Sequence, residues 1–511
     1  MLSSPTRQRS GSQLQDRFGL RPAYWLPILF AAAAIAGGAF IGQTSAVIGL
    51  AAAVAIVMAG AVILSDEATL VLVVATIALL PFGAVPIKVG LSPTFLDLLC
   101  LVLLVRWLAR RVHPRVPPAP HTPLDLLIWV WLAIALLAFL SASGRAPLSA
   151  DTMHYFVKVA LATLLFFVVI DVVRQRAQLQ LVYVTLCVCG ACEAVVGLAL
   201  YALRPSAATR LLTSLGVLHY PTGTDVLRYR VDFNQAERAI ATSVDPNVLG
   251  GLLAITLVLT LAQLAAKDPI LPRRWSALLS LPMLACLALT YSRGAWVSLF
   301  IAFVFLGIWR YRRLLLAGMV LLGAFSLLPV SHRFTRQLLS GLQAQDKAAA
   351  MRLGEIHDAL RLITTYPALG VGFGSSPDRD LYVGVSNIYL LMAEEMGVAG
   401  LLVFAAILLI FYVWLLASLH RIQDRPMSDL ALGLAAATIS VFSAGMLDRY
   451  FFSFQHDIAL LWLLLGLTAV AVRIGCAPVA ASVPTTPQVV TRPAIRVGAL
   501  RSAGLQRGNG R

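Results

Sequence analysis

Apolar residues form long continuous runs along most of the chain, separated by short polar or basic segments. An α-helix needs roughly 20 such residues to cross the hydrocarbon core of a membrane. Continuous runs favour helices over barrel strands, in which apolar and polar residues alternate. The pattern predicts about 14 spans, which we place at 24–42, 45–64, 69–87, 94–109, 124–142, 153–172, 179–203, 246–266, 275–290, 294–310, 313–330, 398–418, 429–447 and 457–474.

Basic residues follow every second predicted span, which orients the bundle. Arginine and lysine recur in both tails and after the even-numbered spans, as the positive-inside rule requires of cytoplasmic segments. One cytoplasmic connection, Ser65-Asp66-Glu67, is acidic and breaks the pattern. The prediction is an all-α, polytopic transmembrane helix bundle of about 12–14 spans, with both termini cytoplasmic and a large helical periplasmic loop.

The composition agrees with a bacterial inner-membrane, multi-pass protein. Hydrophobic residues make up 59% of the 511 positions and charged residues 13%, against about a quarter charged in soluble domains. The positive-inside rule accounts for the net charge of +16, so no nucleic-acid partner is expected. We predict a cytoplasmic basic tail at 1–23, a membrane domain at 24–474 and a disordered cytoplasmic basic tail at 475–511. Both tails are expected to contact anionic membrane lipids.

Two predicted periplasmic loops, 204–245 and 331–397, are longer than simple connections need. In the second, Leu353, Ile356, Leu360 and Ile363 recur at helical spacing. We expect this loop to form an amphipathic helical cap on the membrane face.

Three stretches on the external side carry candidate chemistry. Arg238 precedes Asp245-Pro246-Asn247, where aspartate can cap a helix and proline suits its first turn. Arg293 lies in a short Ser292-Arg293-Gly294 turn between two spans, and a guanidinium held there matches phosphate oxygens in a bidentate fashion. Snorkelling to lipid headgroups is the alternative for Arg293. The third stretch has glycines at 370, 372 and 374, which permit tight turns and close backbone approach.

In this order, the three stretches resemble the O-antigen ligase and Wzy polymerase superfamily. That family has an Arg before a Pro-Asn helix start, a Ser-Arg-Gly turn and a long periplasmic loop. The loop runs from an Arg…Pro-x-x-Gly-x-Gly segment to a His-Asn-x-Tyr-Leu…Glu-x-Gly segment. The matching residues here are Arg238, Asp245-Pro246-Asn247, Ser292-Arg293-Gly294, Arg352, Pro367, Gly370, Gly372, Gly374, Ser386-Asn387-Ile388-Tyr389-Leu390, Glu394 and Gly397.

The resemblance implies a GT-C-like, inverting glycosyltransferase that uses an undecaprenyl-pyrophosphate-linked oligosaccharide without metal or cofactor. It implies catalytic roles for Arg238, Arg293, Glu394 and Asn387. It implies substrate contacts at Arg352, Arg361, Ser386, Gly372, Gly374, Asn247 and Ser292. A flippase and a chain-length regulator are the protein partners that such a role implies. The chain departs from the ligases at Ser386, where they have a histidine, and serine cannot act as a base near neutral pH.

A secondary transporter for an anionic substrate is the main alternative. Lys158 and Glu193 lie inside predicted spans, and intramembrane ionisable residues often mark ion pathways. They are equally compatible with one structural ion pair. Neither an internal repeat nor a matched pair of broken helices is visible, which favours the enzyme. Cys187, Cys189 and Cys192 fall inside an apolar helix and are best explained by close helix contacts.

Overall fold

The computed structural model describes residues 65–85, 93–112, 117–144, 149–220, 237–313, 315, 316, 318, 347–373 and 384–477. Both predicted tails, apart from a few residues at 475–477, and the predicted spans 24–42, 45–64 and nearly all of 313–330 lie outside these residues. So do the first part of the predicted cap and Gly374.

The described residues are helical throughout, as the continuous apolar runs predict. The helices are α1 Asp66–Leu79, α2 Phe95–Val112, α3 Asp125–Ser143, α4 Ala150–Val172, α5 Arg176–Ala202, α6 Pro205–Ser214, α7 Pro246–Ala265, α8 Arg273–Thr290, α9 Arg293–Trp309, α10 Lys347–Thr365, α11 Ile388–Leu419, α12 Arg425–Gly445, α13 Tyr450–Ser453 and α14 Gln455–Cys476. Short 3₁₀ turns form at Leu215–Leu218 and Ala241–Ser243. Within the described ranges the only β-pairing is an isolated bridge between Ala84 and Thr94.

Seven of the described helices are long and apolar enough to span a membrane: α3, α4, α5, α7, α11, α12 and α14. Four more, α1, α2, α8 and α9, coincide with predicted spans, and α9 is apolar but shorter. The multi-pass α-helical architecture is therefore confirmed. The predicted count of about 14 spans stays a prediction, because three of those spans fall outside the described residues.

The helices differ in how much of their surface the bundle covers. Helices α7, α12 and α14 are buried almost all round and form the centre, where α12 packs on both α7 and α14. Helices α3 and α11 pack on each other and leave large apolar side chains exposed, such as Leu126, Leu402 and Leu409. Exposed leucines on spanning helices are what lipid contact requires.

Ion pairs fasten the end of the bundle that the positive-inside rule assigns to the cytoplasm. Arg310 pairs with Asp429 at 2.5 Å, and Arg176 pairs with Asp424 at 2.8 Å. The acidic connection Ser65-Asp66-Glu67 broke the predicted charge pattern. Its Asp66 forms salt bridges with Arg106 at 2.7 Å and with Arg110 at 2.5 Å. The acidic residue therefore offsets its basic neighbours on the same side.

The predicted helix of the second long loop is confirmed as α10, but its buried face is not the predicted one. Leu353 and Leu360 are exposed, whereas Ala359 and Leu362 are buried, with Ile356 and Ile363 half-buried. Helix α10 packs against α11. The spacing therefore predicted the helix correctly but its buried face only in part, at Ile356 and Ile363.

Candidate functional site

Arg238 is held at the meeting point of two helix ends. Its Nε donates to the Thr290 carbonyl at 2.7 Å, and its Nη2 donates to Asn247 Oδ1 at 2.8 Å. The Ala239 backbone N–H donates to the Leu289 carbonyl at 2.9 Å. The segment carrying Arg238 is thus tied to the end of α8 and to the start of α7.

The start of α7 follows the sequence prediction. Asp245 is the N-cap, and its Oδ1 accepts from the backbone N–H of Asn247 at 2.7 Å and of Val248 at 3.4 Å. Pro246 occupies the first helical position, where its missing N–H leaves no bond unmade. Asn247 therefore has its backbone in the cap and its side-chain oxygen on Arg238.

Arg293 begins α9 beside this segment. Tyr291 adopts a left-handed conformation (φ 49°) that ends α8, and Ser292 is the N-cap of α9. A Cβ on Gly250 of α7 would lie 2.9 Å from Ser292 Cβ, so the two helix starts are tightly packed. Thr290, whose carbonyl holds Arg238, is only three residues from Arg293. We call Arg238, Asp245–Asn247 and Thr290–Arg293 the arginine corner.

The buried side chain of Glu193 holds the 3₁₀ turn that lies next to the arginine corner. Its Oε1 accepts from Thr242 N at 2.9 Å, Thr242 Oγ1 at 2.7 Å, Ser243 N at 3.2 Å and Ser243 Oγ at 3.2 Å. These residues form the 3₁₀ turn Ala241–Ser243 between Arg238 and α7. The sequence interpretation of Glu193 as an ion-pathway residue or as the partner of Lys158 missed this role.

A second region is built by the glycine stretch and the start of α11. The backbone N–H of Val371 donates to the Glu394 carbonyl at 2.7 Å, that of Gly372 to the Glu395 carbonyl at 3.0 Å, and that of Val398 to the Pro367 carbonyl at 2.8 Å. Helix α11 is interrupted at Gly397 (φ 70°), which frees these carbonyls for the loop. We call Pro367–Phe373 and Ser386–Gly397 together the carboxylate loop.

Helix α11 begins at Ile388, ten residues before the predicted span 398–418. Asn387 is the N-cap, accepting from Tyr389 N at 2.9 Å and Leu390 N at 3.1 Å, and its Nδ2 donates to the Met446 carbonyl at 3.0 Å. The backbone N–H of Ser386 donates to Glu355 Oε2 at 2.9 Å, which ties α11 to α10. Asn387 therefore uses its amide to build the site.

Glu394 and Glu395 are both buried side chains on α11. Glu394 Oε2 accepts from Gly384 N at 3.3 Å, and the Gly384 carbonyl accepts from the Arg449 guanidinium. Glu394 Oε1 has no hydrogen-bond partner among the described residues. Glu395 Oε2 lies 3.3 Å from the hydroxyl of Tyr155. A buried carboxyl oxygen without a partner is a group poised to bind a proton or a hydroxyl.

Asp448 joins the two regions electrostatically. Burial raises the pKa of its carboxyl to about 6, and the negative charge of Asp245 acts in the same direction, while Arg352 and Arg449 act against it. Asp448 Oδ1 accepts from the Arg449 backbone N–H at 2.8 Å. A Cβ on Gly294, next to Arg293, would lie 3.6 Å from Leu447 Cβ. The loop after α12 therefore lies between the arginine corner and the carboxylate loop.

Several predicted contact residues are brought to this place and others are not. Arg352 reaches the Asp448 region from an exposed position on α10, whereas no contact connects exposed Arg361 to it in the described structure. Gly372 packs against Ala142 of α3 and serves as a backbone donor. Gly374 lies outside the described residues.

Sequence reasoning missed four participants: Glu193, Glu355, Asp448 and Arg449. Arg449 was visible as one of the arginines on the external side, in the short connection before α14. Its partner Gly384 is distant in sequence, so nothing in the pattern linked them. Glu355 lies on the polar side of α10 and resembles any solvated glutamate until Ser386 is placed beside it.

Comparison with known families gives a match to part of the chain. Residues 278–405 match the family model Wzy_C, described as O-Antigen ligase. The match covers 128 of the 511 residues. The matched residues include the Arg293 turn, α10 and the carboxylate loop, whereas Arg238 lies before them. A search of curated proteins finds no match.

The O-antigen ligase domain supports the superfamily suggested by the sequence motifs. With the spanning helices, it supports a multi-pass membrane ligase or polymerase of polysaccharide biosynthesis.

Proposed function

We propose that the O-antigen ligase domain transfers or polymerises glycan units carried on undecaprenyl pyrophosphate. In this proposal the reaction takes place at the periplasmic face of the bacterial inner membrane. The observation that carries the proposal is the arginine corner, where Arg238 is bonded to the Thr290 carbonyl and Asn247 beside the Arg293 turn.

The arginine corner suits a pyrophosphate for two physical reasons. Guanidinium groups match phosphate oxygens in bidentate geometry and keep their charge at any physiological pH. Helix α9 begins here, at Arg293, and its N-cap Ser292 makes no side-chain capping hydrogen bond. Helix N-termini carry partial positive charge and free N–H groups, which favour an anion.

In the proposed reaction an acceptor hydroxyl oxygen attacks the anomeric carbon of the donor sugar. The bond from that carbon to the pyrophosphate oxygen breaks, and its electron pair leaves with the pyrophosphate. Arg238 and Arg293 stabilise the negative charge that develops there, so guanidinium groups do the work that a metal ion does in other glycosyltransferases.

The hydroxyl proton needs an acceptor, and we assign it to Glu394. Its Oε1 is buried and has no partner in the described part of the chain, while Oε2 is anchored by Gly384 N. Ser386 stands where the ligases have histidine, and it cannot accept a proton near neutral pH. We expect Asn387 to keep the end of α11 in place beside the acceptor.

The test is glycan output in cells carrying Arg238→Ala or Arg293→Ala. Removing one electrostatic donor should lower output by about 10²–10³-fold, with the protein still inserted in the membrane. Lysine at either position should restore part of it, since it returns the charge without the fork. Arg210→Ala, an exposed arginine on α6, is the matched control and should leave output unchanged. Normal output from both corner variants would contradict the proposal.

A further inference from the structure

A polar cavity of about 530 Å³ lies apart from the arginine corner. Its walls come from the segments after α1 and after the Leu215–Leu218 turn, the residue before α2, the first part of α4, the last residue of α13 and the start of α14. The volume falls within the roughly 300–1,000 Å³ of small-molecule sites. The lining residues are Pro81, Phe82, Ala84, Thr94, Asp151, His154, Tyr155, Lys158, His219, Ser453, Phe454, Gln455 and His456.

Buried nitrogen atoms in the cavity wall have no hydrogen-bond partner among the described residues. They are Gln455 Nε2, His456 Nε2 and His219 Nδ1. Gln455 is 7% exposed and His456 4%, so bulk water does not solvate them freely. The other end of the Gln455 amide is held, since its Oε1 lies 3.1 Å from the Thr94 hydroxyl. His456 Nε2 lies 3.4 Å from Asp457 Oδ2 without forming a hydrogen bond. Buried polar groups of this kind call for a ligand or an ordered water.

The charges around the cavity largely cancel. Lys158 faces the carboxylates of Asp97 and Asp151, and His154 Nε2 lies 3.2 Å from Asp97 Oδ2. A dianionic phosphate would meet these two carboxylates at close range, which disfavours it. An uncharged ligand that is rich in hydroxyl groups can use Lys158, Gln455 and the histidines without that penalty.

One wall of the cavity is aromatic. Phe454 and His456 are stacked with ring centroids 5.6 Å apart, and Phe82 meets them edge-on at 5.6 and 5.1 Å. A sugar ring has apolar faces and a polar edge, and a cavity that combines aromatic rings with polar groups fits it.

A chain of contacts connects the cavity to the carboxylate loop. Tyr155 lines the cavity, its hydroxyl donates to the Phe452 carbonyl at 2.7 Å, and Glu395 Oε2 lies 3.3 Å from the same oxygen. Glu394 follows on the side of Arg449 and Asp448, towards the arginine corner. The cavity is therefore linked to the carboxylates through Tyr155.

We propose that this cavity is a subsite for an uncharged sugar of the acceptor glycan. The proposal rests on the proposed function, in which the arginine corner takes the donor pyrophosphate and Glu394 faces the acceptor. Gln455, His456 and Lys158 hydrogen-bond the sugar, and Phe82 and Phe454 cover its apolar face. The acceptor is thereby held with its next hydroxyl directed towards the carboxylate loop.

The test is thermal unfolding of the full chain in detergent, with glucose, galactose, N-acetylglucosamine, glucuronate or inorganic pyrophosphate added. We expect at least one neutral sugar to raise the unfolding temperature with increasing concentration, because a ligand that binds the folded state stabilises it. Gln455→Leu removes the amide whose Nε2 has no partner among the described residues, at nearly constant size, and Ser453→Trp fills the cavity. Both should abolish the shift, while Thr213→Trp, exposed on α6, should keep it.

Three results would overturn the subsite: no neutral sugar shifts the parent, the shift survives in Gln455→Leu, or only pyrophosphate shifts the parent. The first means that the cavity holds only water. The last means that it is an anion site if the pyrophosphate shift disappears in Ser453→Trp but persists in Arg238→Ala. Glycan output separates this from the proposed function. If Arg238→Ala and Arg293→Ala keep their output while the sugar shift persists, the function fails and the sugar site stands. If those variants lose output and no sugar binds, the subsite alone fails.

Discussion

The arginine corner and the carboxylate loop face each other across Asp448, but they are built by different means. In the arginine corner side chains hold the backbone: Asp245 caps α7, Glu193 gathers the 3₁₀ turn and Arg238 grips the Thr290 carbonyl. In the carboxylate loop the backbone holds itself, through carbonyls released at Gly397. A region held by several side-chain hydrogen bonds can lose one of them and keep its structure. A region held by backbone hydrogen bonds depends on the few residues that allow the backbone to take that path.

The largest expected effect tests the backbone frame. Gly370 (φ 64°) and Gly397 (φ 70°) adopt conformations that favour glycine. A Cβ on Gly370 would collide with the backbone of Glu394, and a Cβ on Gly397 would collide with the backbone of Ala368. We expect Gly397→Ala to lower the free energy of unfolding by at least about 1–3 kcal/mol from strain alone and to abolish glycan output. Thermal unfolding in detergent and polymer gels measure both.

The control for this prediction is Gly354→Ala on α10. A Cβ there meets nothing within 4 Å, and alanine is the better helix former by up to about 1 kcal/mol. This variant should be neutral or slightly stabilised. If Gly397→Ala behaves in the same way, the loop does not depend on its backbone geometry.

The next effect tests the side-chain frame through Glu193. In Glu193→Leu the donors of Thr242 and Ser243 lose their buried acceptor, which costs about 1–3 kcal/mol. Because these residues position Arg238, we expect glycan output to fall by about tenfold, the equivalent of about 1.4 kcal/mol. Glu193→Gln keeps one carbonyl oxygen and should recover most of the output.

Thr185→Val, on the same helix, serves as the comparison. The Thr185 hydroxyl bonds only to the Leu181 carbonyl within α5, so its loss should not reach Arg238. Equal output from Glu193→Leu and the parent would show that Arg238 does not need this support. Equal losses of glycan output in Glu193→Leu and Thr185→Val would mean that the output falls because the protein is less stable, and not because Arg238 is displaced.

A smaller effect concerns Asp448, which lies between the two regions. Because burial raises the pKa of Asp448 to about 6, the folded protein holds this proton longer than the unfolded chain does. The unfolded chain loses its proton near pH 4. Stability should therefore fall as the pH rises from about 4 to about 6, and Asp448→Asn should remove this dependence. The asparagine variant should be more stable than the parent by about 1–2 kcal/mol at pH 7.

The measurement is the unfolding temperature of the parent and of Asp448→Asn between pH 4 and pH 7.5. The neighbouring charges are those of Asp245, Arg352 and Arg449, which are present in both proteins. Parallel curves for the two proteins would mean that Asp448 is not the group that titrates. It would then carry no coupling between the arginine corner and the carboxylate loop.

The two regions also differ in how far the sequence predicts them. The cap at Asp245, the start of α9 at Arg293 and the start of α11 were visible because local residue types encode helix ends. The contacts of Glu193 with Thr242 and of Arg449 with Gly384 were not, because they join residues 49 and 65 positions apart. The buried face of α10 was missed in part, since Leu360 is exposed and Ala359 is buried.

The smallest effect is expected at Ser386, the position at which ligases carry histidine. The structure uses the Ser386 backbone, whose N–H donates to Glu355 Oε2 at 2.9 Å, and any residue except proline supplies that bond. Ser386→Ala should keep glycan output within about twofold of the parent, since surface-type changes stay within about 0.5 kcal/mol. Glu394→Gln removes the proposed proton acceptor at the same end of α11, and general-base catalysis contributes about 10²–10⁴-fold, so it should lower output far more. Asn387→Ala removes the α11 cap, which should lower the free energy of unfolding by about 0.5–2 kcal/mol. Its glycan output should fall between those of the other two variants. Polymer amount and length in the three variants rank the effects directly.

If all three match the parent, the start of α11 is structural, and the proton acceptor lies elsewhere in the carboxylate loop or near Arg352. If Ser386→Ala falls as far as Glu394→Gln, the hydroxyl itself contacts the acceptor, and the serine substitutes for the histidine in binding rather than in proton transfer.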